Sequence, residues 1–434
     1  MANLRLIELI WRSKWGRRDY TIAAIGFTMI SFALIVSFDS SSSSRIKESE
    51  SNSLIRINDD DDDLVDLTLL KNAQQKGAVC LDGSSPGYHF QRGFDSGSHN
   101  WLLHIEGGGW CNTIESCSAR KLTALGSSNY MDRQVRFTGI LSRKASENPD
   151  FFNWNKVKIR YCDGASLAGN PANELKVAST DSPKLFFRGQ LIWEAIMDEF
   201  VALGLANAKQ ALLSGCSAGG LATLIHCDSF KEILPKESKV KCLSDAGFFL
   251  DEKDISGNNT MRSFYRDVVY LQVSFRLSSL MVLSKVCARI VSLGWNRLRQ
   301  CVFPHEIIKN IKTPVFFVNS AYDFWQIQNV LAPHVSDYHN IWHKCRLNLK
   351  DCDSNQTQIL HGKVSYSFES QGFNYKKHVP AKSPVKNIDR FAFCDFCHKT
   401  LAEAVADWYF DRRIVKEIDC AYPCNPTCHN MDFS

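Results

Sequence analysis

Gln210-Ala211-Leu212-Leu213-Ser214-Gly215-Cys216-Ser217-Ala218-Gly219-Gly220 is the stretch on which the reading turns. A short apolar run, 210–213, reads as a buried strand. It feeds a G-x-S-x-G pentapeptide, and a helical run, Leu221 to Cys227, follows at once. A nucleophilic serine on a tight strand-to-helix turn needs small neighbours, because that turn is strained and crowded. The turn lifts the Oγ above the sheet and sets it at a helix N-terminus, where developing negative charge is favoured. The competing reading is an ordinary glycine-rich turn. The apolar strand before the pentapeptide and the helix after it favour the nucleophile, Ser217.

The flanking sequence extends the same pattern. Trp101 to Ile105 reads as a strand ending at Glu106-Gly107-Gly108-Gly109, and Lys156 to Tyr161 alternates with the period of a half-buried strand. Gln190 to Leu203 carries apolar residues at helical spacing. Thr313 to Val318 is another apolar strand, and Leu401 to Phe410 is an amphipathic helix. Strands alternating with helices predict an α/β fold with a mostly parallel central sheet. Hydrophobic residues at 44% and charged residues at 22% exclude a mostly disordered chain. Lys plus Arg of 51 against Asp plus Glu of 46 leaves +5, too little for a dedicated nucleic-acid binder.

Two further segments carry chemistry. Glu106-Gly107-Gly108-Gly109-Trp110 follows a strand upstream of the serine. A glycine-rich loop there brings backbone N–H groups close to a substrate oxyanion. A phosphate loop would require a following Lys-Ser/Thr or a G-x-G-x-x-G pattern, and neither is present. Gly109, Trp110 and Ala218 are the expected oxyanion donors. Asp323 follows the 313–318 strand, where a carboxylate can orient a histidine and stabilise its charged form; a helix cap is the plainer alternative. Trp110 and Trp325 flank the site in sequence and are candidates for the substrate pocket, with a core role as the alternative.

Several blocks resemble plant pectin acetylesterases. They are Lys76 to Gly83, Glu106 to Cys111, Tyr161 to Gly164, Leu185 to Gly189, Ser214 to Gly220, Ser244 to Gly247, Tyr322 to Gln326, Asp407 to Arg412 and Asp419 to Cys428. The animal Notum carboxylesterases are more distant relatives. The resemblance covers nearly all of 76–429. It implies an α/β-hydrolase fold, a Ser-Asp-His triad and removal of acetyl groups from pectin in the cell wall, with Ser217 as nucleophile and Asp323 as the orienting acid.

His398 completes the expected triad, because it lies after Asp323 and just before the last helix. The family's histidine loop has the form S-C-aromatic-A-H-C-Q. Here Cys394-Asp395-Phe396-Cys397-His398 runs almost directly into that helix. This departure motivates an alternative reading, a catalytically impaired polysaccharide-binding relative. An esterase of another acylated glycan or of a lipidated protein is a further alternative. A second departure is the apolar and basic run from Val269 to Gln300. Cys394-x-x-Cys397-His398 also matches the c-type haem attachment pattern, but no second axial ligand is evident. The reaction calls for no metal and no organic cofactor.

The N-terminus points to the secretory pathway. Thr21 to Phe38 carries no charge, and its 18 residues are just long enough to span a bilayer core. Arg12, Lys14, Arg17 and Arg18 precede it, which holds that side in the cytosol. The segment reads as a signal anchor or a signal peptide, 1–20 as its basic flank, and 39–75 as a disordered linker rich in Ser and Asp. The hydrolase domain is expected over 76–434. All 16 cysteines lie at or after Cys80, as disulfides in an oxidising compartment would require. Cys111 with Cys117 is one candidate pair, and Cys420, Cys424 and Cys428 form a C-terminal set. Asn258 and Asn355 open N-x-T glycosylation sequons. The expected partner is acetylated pectin.

Overall fold

The computed structural model describes residues 64–169, 184–272, 301–320, 322–370, 388–392 and 401–415. Nine strands form one sheet: β1 (Leu64–Leu69), β2 (Gly87–Gln91), β3 (Asn100–Ile105), β4 (Gln134–Arg136), β5 (Asn155–Ile159), β6 (Gln210–Cys216), β7 (Lys239–Asp245), β8 (Val315–Val318) and β9 (Ile388–Ala392). Their order across the sheet is β4-β1-β2-β5-β3-β6-β7-β8-β9. From β5 to β9 every neighbouring pair is parallel; β4, β1 and β2 form an antiparallel margin. This is the mostly parallel α/β-hydrolase sheet that the sequence predicts.

Among the helices are α1 (Ile114–Arg120), α2 (Gly189–Leu203), α3 (Ala218–Glu232), α4 (Thr260–Gln272), α5 (His343–Leu347), α6 (Ser354–Ser370) and α7 (Leu401–Tyr409).

Side-chain alternation explains why both faces of the sheet are covered. On β3, Trp101, Leu103 and Ile105 join a core with Ile192, Ile196 and Phe200 of α2 and Leu221, Leu224 and Ile225 of α3. Leu102 points the other way, with Leu212, Leu243 and Phe316 of the neighbouring strands, and packs with Trp408 and Tyr409 of α7. Successive residues of a strand face opposite sides, so fully apolar strands require two partners. Lys241 breaks the apolar pattern of β7. Its ammonium donates to Trp408 O at 2.6 Å and to Asp411 Oδ1 at 2.6 Å, which fastens α7 to the sheet.

Four disulfides join described residues: Cys80–Cys162, Cys111–Cys117, Cys227–Cys242 and Cys345–Cys352. The expected Cys111–Cys117 pair is among them. Cys420, Cys424 and Cys428 lie outside the described residues, as do 1–38 and most of the Val269 to Gln300 run.

Two sequence expectations need correction. The linker does not reach residue 75, because Leu64–Leu69 is a strand bonded to β2 and β4, with Val65 and Leu70 buried. The pull of these apolar residues and the open ladder beside them outweighs the acidic run just upstream. The helix after Ser217 extends past Cys227 to Glu232, because Phe230 is buried in the core and holds the extra turn. Asn258 and Asn355 are both exposed.

Candidate active site

Ser217 stands at the C-terminal end of β6, immediately before α3, with φ 56° and ψ −122°. A non-glycine residue there is strained and persists only where its surroundings hold it. They do so from both sides. Ser217 N–H donates to Asp245 O at 2.8 Å, and Ser217 O accepts from Leu221 N–H at 3.0 Å. The two glycines of the pentapeptide are required by closeness. A Cβ on Gly219 would lie 2.2 Å from Ile105 O, and one on Gly215 would lie 2.3 Å from Gly219 O. Helix α3 thus starts in contact with the ends of β3 and β6, and the serine is forced to the rim.

The glycine-rich loop after β3 abuts this turn. A Cβ on Gly107 would lie 2.7 Å from Cys216 O and 3.1 Å from Ser217 Cβ. Among the described residues, neither Gly109 N–H nor Trp110 N–H has a hydrogen-bond acceptor. Ala218 is the first residue of α3, so its N–H has no acceptor within the helix. Two side chains brace the loop from behind. Arg120 of α1 donates to Gly108 O at 2.8 Å and to Leu125 O at 3.0 Å. Arg160 pairs with Glu106 at 3.0 Å.

A hydrogen-bonded chain that sequence reading missed joins the three candidate donors. Tyr161 O–H donates to Gly109 O at 2.8 Å and its oxygen accepts from Ser166 N–H at 2.9 Å. Trp110 Nε1–H donates to Ser166 Oγ at 2.8 Å, and Ser166 O–H donates to Ala218 O at 2.8 Å. Ser166 itself has φ 54°, so it too is held in a costly conformation. Nothing in the local sequence around Ser166 signals this role.

Three acidic or thiol groups crowd the same rim. Cys216 pairs in register with Asp245 at the end of β7, and Asp245 with Val318 at the end of β8. Cys216 is a free thiol whose S–H bonds the Asp245 carboxylate; burial, reinforced by Asp245, pushes that thiol up to about 12. Asp245 is pushed up to about 6, by burial first and by the charge of Asp323 after it. Asp323 lies beyond β8 and accepts Gln326 N–H at 2.8 Å, which is the helix-cap contact of the plainer alternative. Burial raises its pKa, and backbone N–H groups of Gln326 and Trp325 oppose the rise. Asp245 was in a sequence block without a role; only strand order sets it beside the serine's own strand.

Trp110 and Trp325 meet edge to face, with ring centroids 5.8 Å apart. Phe249 packs against both, at 4.7 Å and 5.4 Å. Trp325 lines a cavity of about 440 Å³, whereas Trp110 is turned toward Ser166 and Tyr265. His398 lies outside the described residues. Among those described, no histidine is hydrogen-bonded to Ser217 or Asp323. His104 and His226 are buried, and burial lowers their pKa values to about 4 and about 3. His361 Nδ1 lies 3.1 Å from Tyr322 Oη, one residue from Asp323.

Comparison with known proteins agrees with this architecture. The family model described as pectinacetylesterase matches residues 58–429. The chain is 49% identical to pectin acetylesterase 5 of Arabidopsis thaliana, with 100% of each chain covered. It is 47% identical to pectin acetylesterase 4 of the same plant, over 95% of this chain and 97% of the relative. It is 32% identical to palmitoleoyl-protein carboxylesterase notum1 of Xenopus laevis, over 61% of this chain and 53% of the relative. A glycine-flanked serine at the rim of a parallel sheet, a glycine loop with free N–H groups beside it and a match over most of the length lead to one conclusion: the chain belongs to the pectinacetylesterase family.

Proposed function

We propose that this chain is a serine carboxylesterase that removes acetyl groups from pectin by a two-step, acyl-enzyme route. Ser217 Oγ attacks the acetyl carbonyl carbon while His398 takes its proton. Asp323 holds the imidazole in the tautomer that accepts at the serine side. The carbonyl oxygen gains the negative charge and is met by the N–H groups of Gly109, Trp110 and Ala218. The tetrahedral intermediate collapses, the C–O bond to the sugar breaks, and the imidazolium proton goes to the leaving polysaccharide alcohol. Water then attacks the acetyl-serine with the same base. Acetate leaves and Ser217 regains its proton.

The observation that carries this reading is the forced backbone of Ser217 next to two unpartnered N–H groups of the glycine loop. The substrate assignment rests on the pectin acetylesterase relatives. The aromatic cluster of Trp110, Phe249 and Trp325 supports a short acyl group, because those rings pack against one another at the end of the loop. The four disulfides support passage through the secretory pathway and an end in the cell wall. Residues 21–38 are proposed as the signal peptide or anchor. Asn258 and Asn355 are proposed glycan sites.

The test is acetate release from acetylated pectin by the purified protein beside Ser217→Ala and His398→Ala. The expected result is loss in both. Release that survives His398→Ala would move the base to another histidine, with His361 and His378 tested next. A folded wild-type protein that binds pectin, releases no acetate and is not labelled at Ser217 by a fluorophosphonate would establish the binding relative instead.

A further inference from the structure

The cavity lined by Trp325 is mostly apolar, and it holds a buried cation that the ester chemistry does not use. Its lining includes Phe264 and Met261 of α4, Gln328 and Asn329 after Asp323, and Arg346 of α5. Arg346 is only 8% exposed. One Nη donates to His343 Nδ1 at 3.3 Å, and among the described residues no carboxylate pairs with the guanidinium. A nearly buried cation without a counter-charge is costly, and such a group persists most readily where a ligand supplies the anion.

The arginine is also held in place. Cys345 beside it is bonded to Cys352, and its own carbonyl accepts Gln328 Nε2–H at 3.2 Å. Gln328 and Trp325 follow Asp323 on one continuous turn, so the cavity is built on the segment that carries the candidate triad acid. Its volume of about 440 Å³ falls in the range of ligand pockets, roughly 300–1,000 Å³.

The geometry points to a uronate subsite: Arg346 grips the carboxylate of a galacturonate residue near the acetylated one, while Trp325 offers its ring to a sugar face. This rests on the pectin reading above and adds to it. The guanidinium fork matches a carboxylate in a planar, two-point contact, and a methyl ester at the same position would forfeit the charge. The enzyme would therefore prefer acetylated stretches whose carboxyl groups are free.

The experiment is calorimetric binding of two hexagalacturonates without acetyl groups, one with free carboxylates and one fully methyl-esterified, to the full-length wild type, Arg346→Gln and Arg346→Lys. The wild type is expected to favour the free acid by about tenfold or more. Arg346→Gln should abolish that preference and Arg346→Lys should keep part of it. Thermal melts report whether each variant is folded. If Arg346→Gln fails to fold, the wild-type preference and its loss at high salt still decide the matter. Equal wild-type affinity for both oligomers, no wild-type binding, or a preference that survives Arg346→Gln would overturn the subsite. Acetate release from acetylated pectin, measured separately, distinguishes the two claims. Release without an Arg346-dependent preference sinks the subsite alone, and preference without release sinks the esterase alone.

Discussion

Trp110 and Ser166 are joined by a 2.8 Å hydrogen bond from the indole to the hydroxyl, and that hydroxyl in turn holds Ala218 O. One small side chain thus ties the glycine loop to the first residue of the helix behind the nucleophile. Ser166→Ala leaves the Trp110 indole N–H without its acceptor and frees the loop from α3. Removing an oxyanion donor costs about 10²–10³ in kcat. Misplacing two through Ser166→Ala is expected to cost at least about tenfold, with a modest fall in melting temperature. Steady-state kinetics on p-nitrophenyl acetate beside a thermal melt would check this. An unchanged kcat would show that the network is only structural.

Gly107→Ala tests the closeness of loop and nucleophile. The added methyl would lie 2.7 Å from Cys216 O, a backbone atom that cannot swing aside. The loop must retreat, and its N–H groups with it. Displacements of about 1 Å cost on the order of 10² in rate. The fold, followed by circular dichroism, is expected to survive while kcat falls by about that factor. Full activity would mean that the loop adjusts freely in solution.

Asp245 makes stability depend on pH in a defined direction. Its carboxyl is pushed up from 3.8 to about 6 in the fold, chiefly by burial. Between those values the native state holds a proton that the unfolded chain has lost, so stability falls as pH rises from about 4 to about 6. Asp163, also buried and also raised to about 6, adds to the same slope. Asp245→Asn removes one of the two groups. The variant should gain stability relative to the wild type at pH 7 compared with pH 4.5, read as the shift in urea midpoint. An equal offset at both pH values would contradict the assignment.

The Cys80–Cys162 disulfide closes a loop of 82 residues, whereas Cys345–Cys352 closes one of 7. In the chain-entropy model the longer loop contributes about 4.5 kcal/mol and the shorter one about half of that. Cys80→Ala with Cys162→Ala should therefore lower the denaturation midpoint more than Cys345→Ala with Cys352→Ala. The reverse order would show that local packing around α5, not loop entropy, dominates.

Local pattern sufficed for much of this molecule. The 210–220 stretch contains its own instructions: an apolar strand, residues small enough for a strained turn, and a helix whose N-terminus meets the serine. The apolar run at 101–105 and the period-two run at 156–161 were legible as strands for the same reason, since the pattern along a strand needs no knowledge of its neighbours. Asp323 was legible because a strand and a turn precede it in sequence. The chain itself also names its family through blocks that are short and contiguous.

What tertiary structure alone decided is what depends on distant segments meeting. Ser166 lies 52 residues from Ala218 and 56 from Trp110, yet it bonds both. Asp245 reaches the nucleophile's strand only because β7 lies beside β6. Arg346 becomes a nearly buried cation beside Trp325 only once α5 docks beside the turn after β8. The strand at 64–69 was hidden because its stability comes from partners at 87–89 and 134–136 rather than from its own pattern. Backbone ladders, buried charges and hydrogen bonds are properties of pairs, and a pair far apart in the chain leaves no local mark.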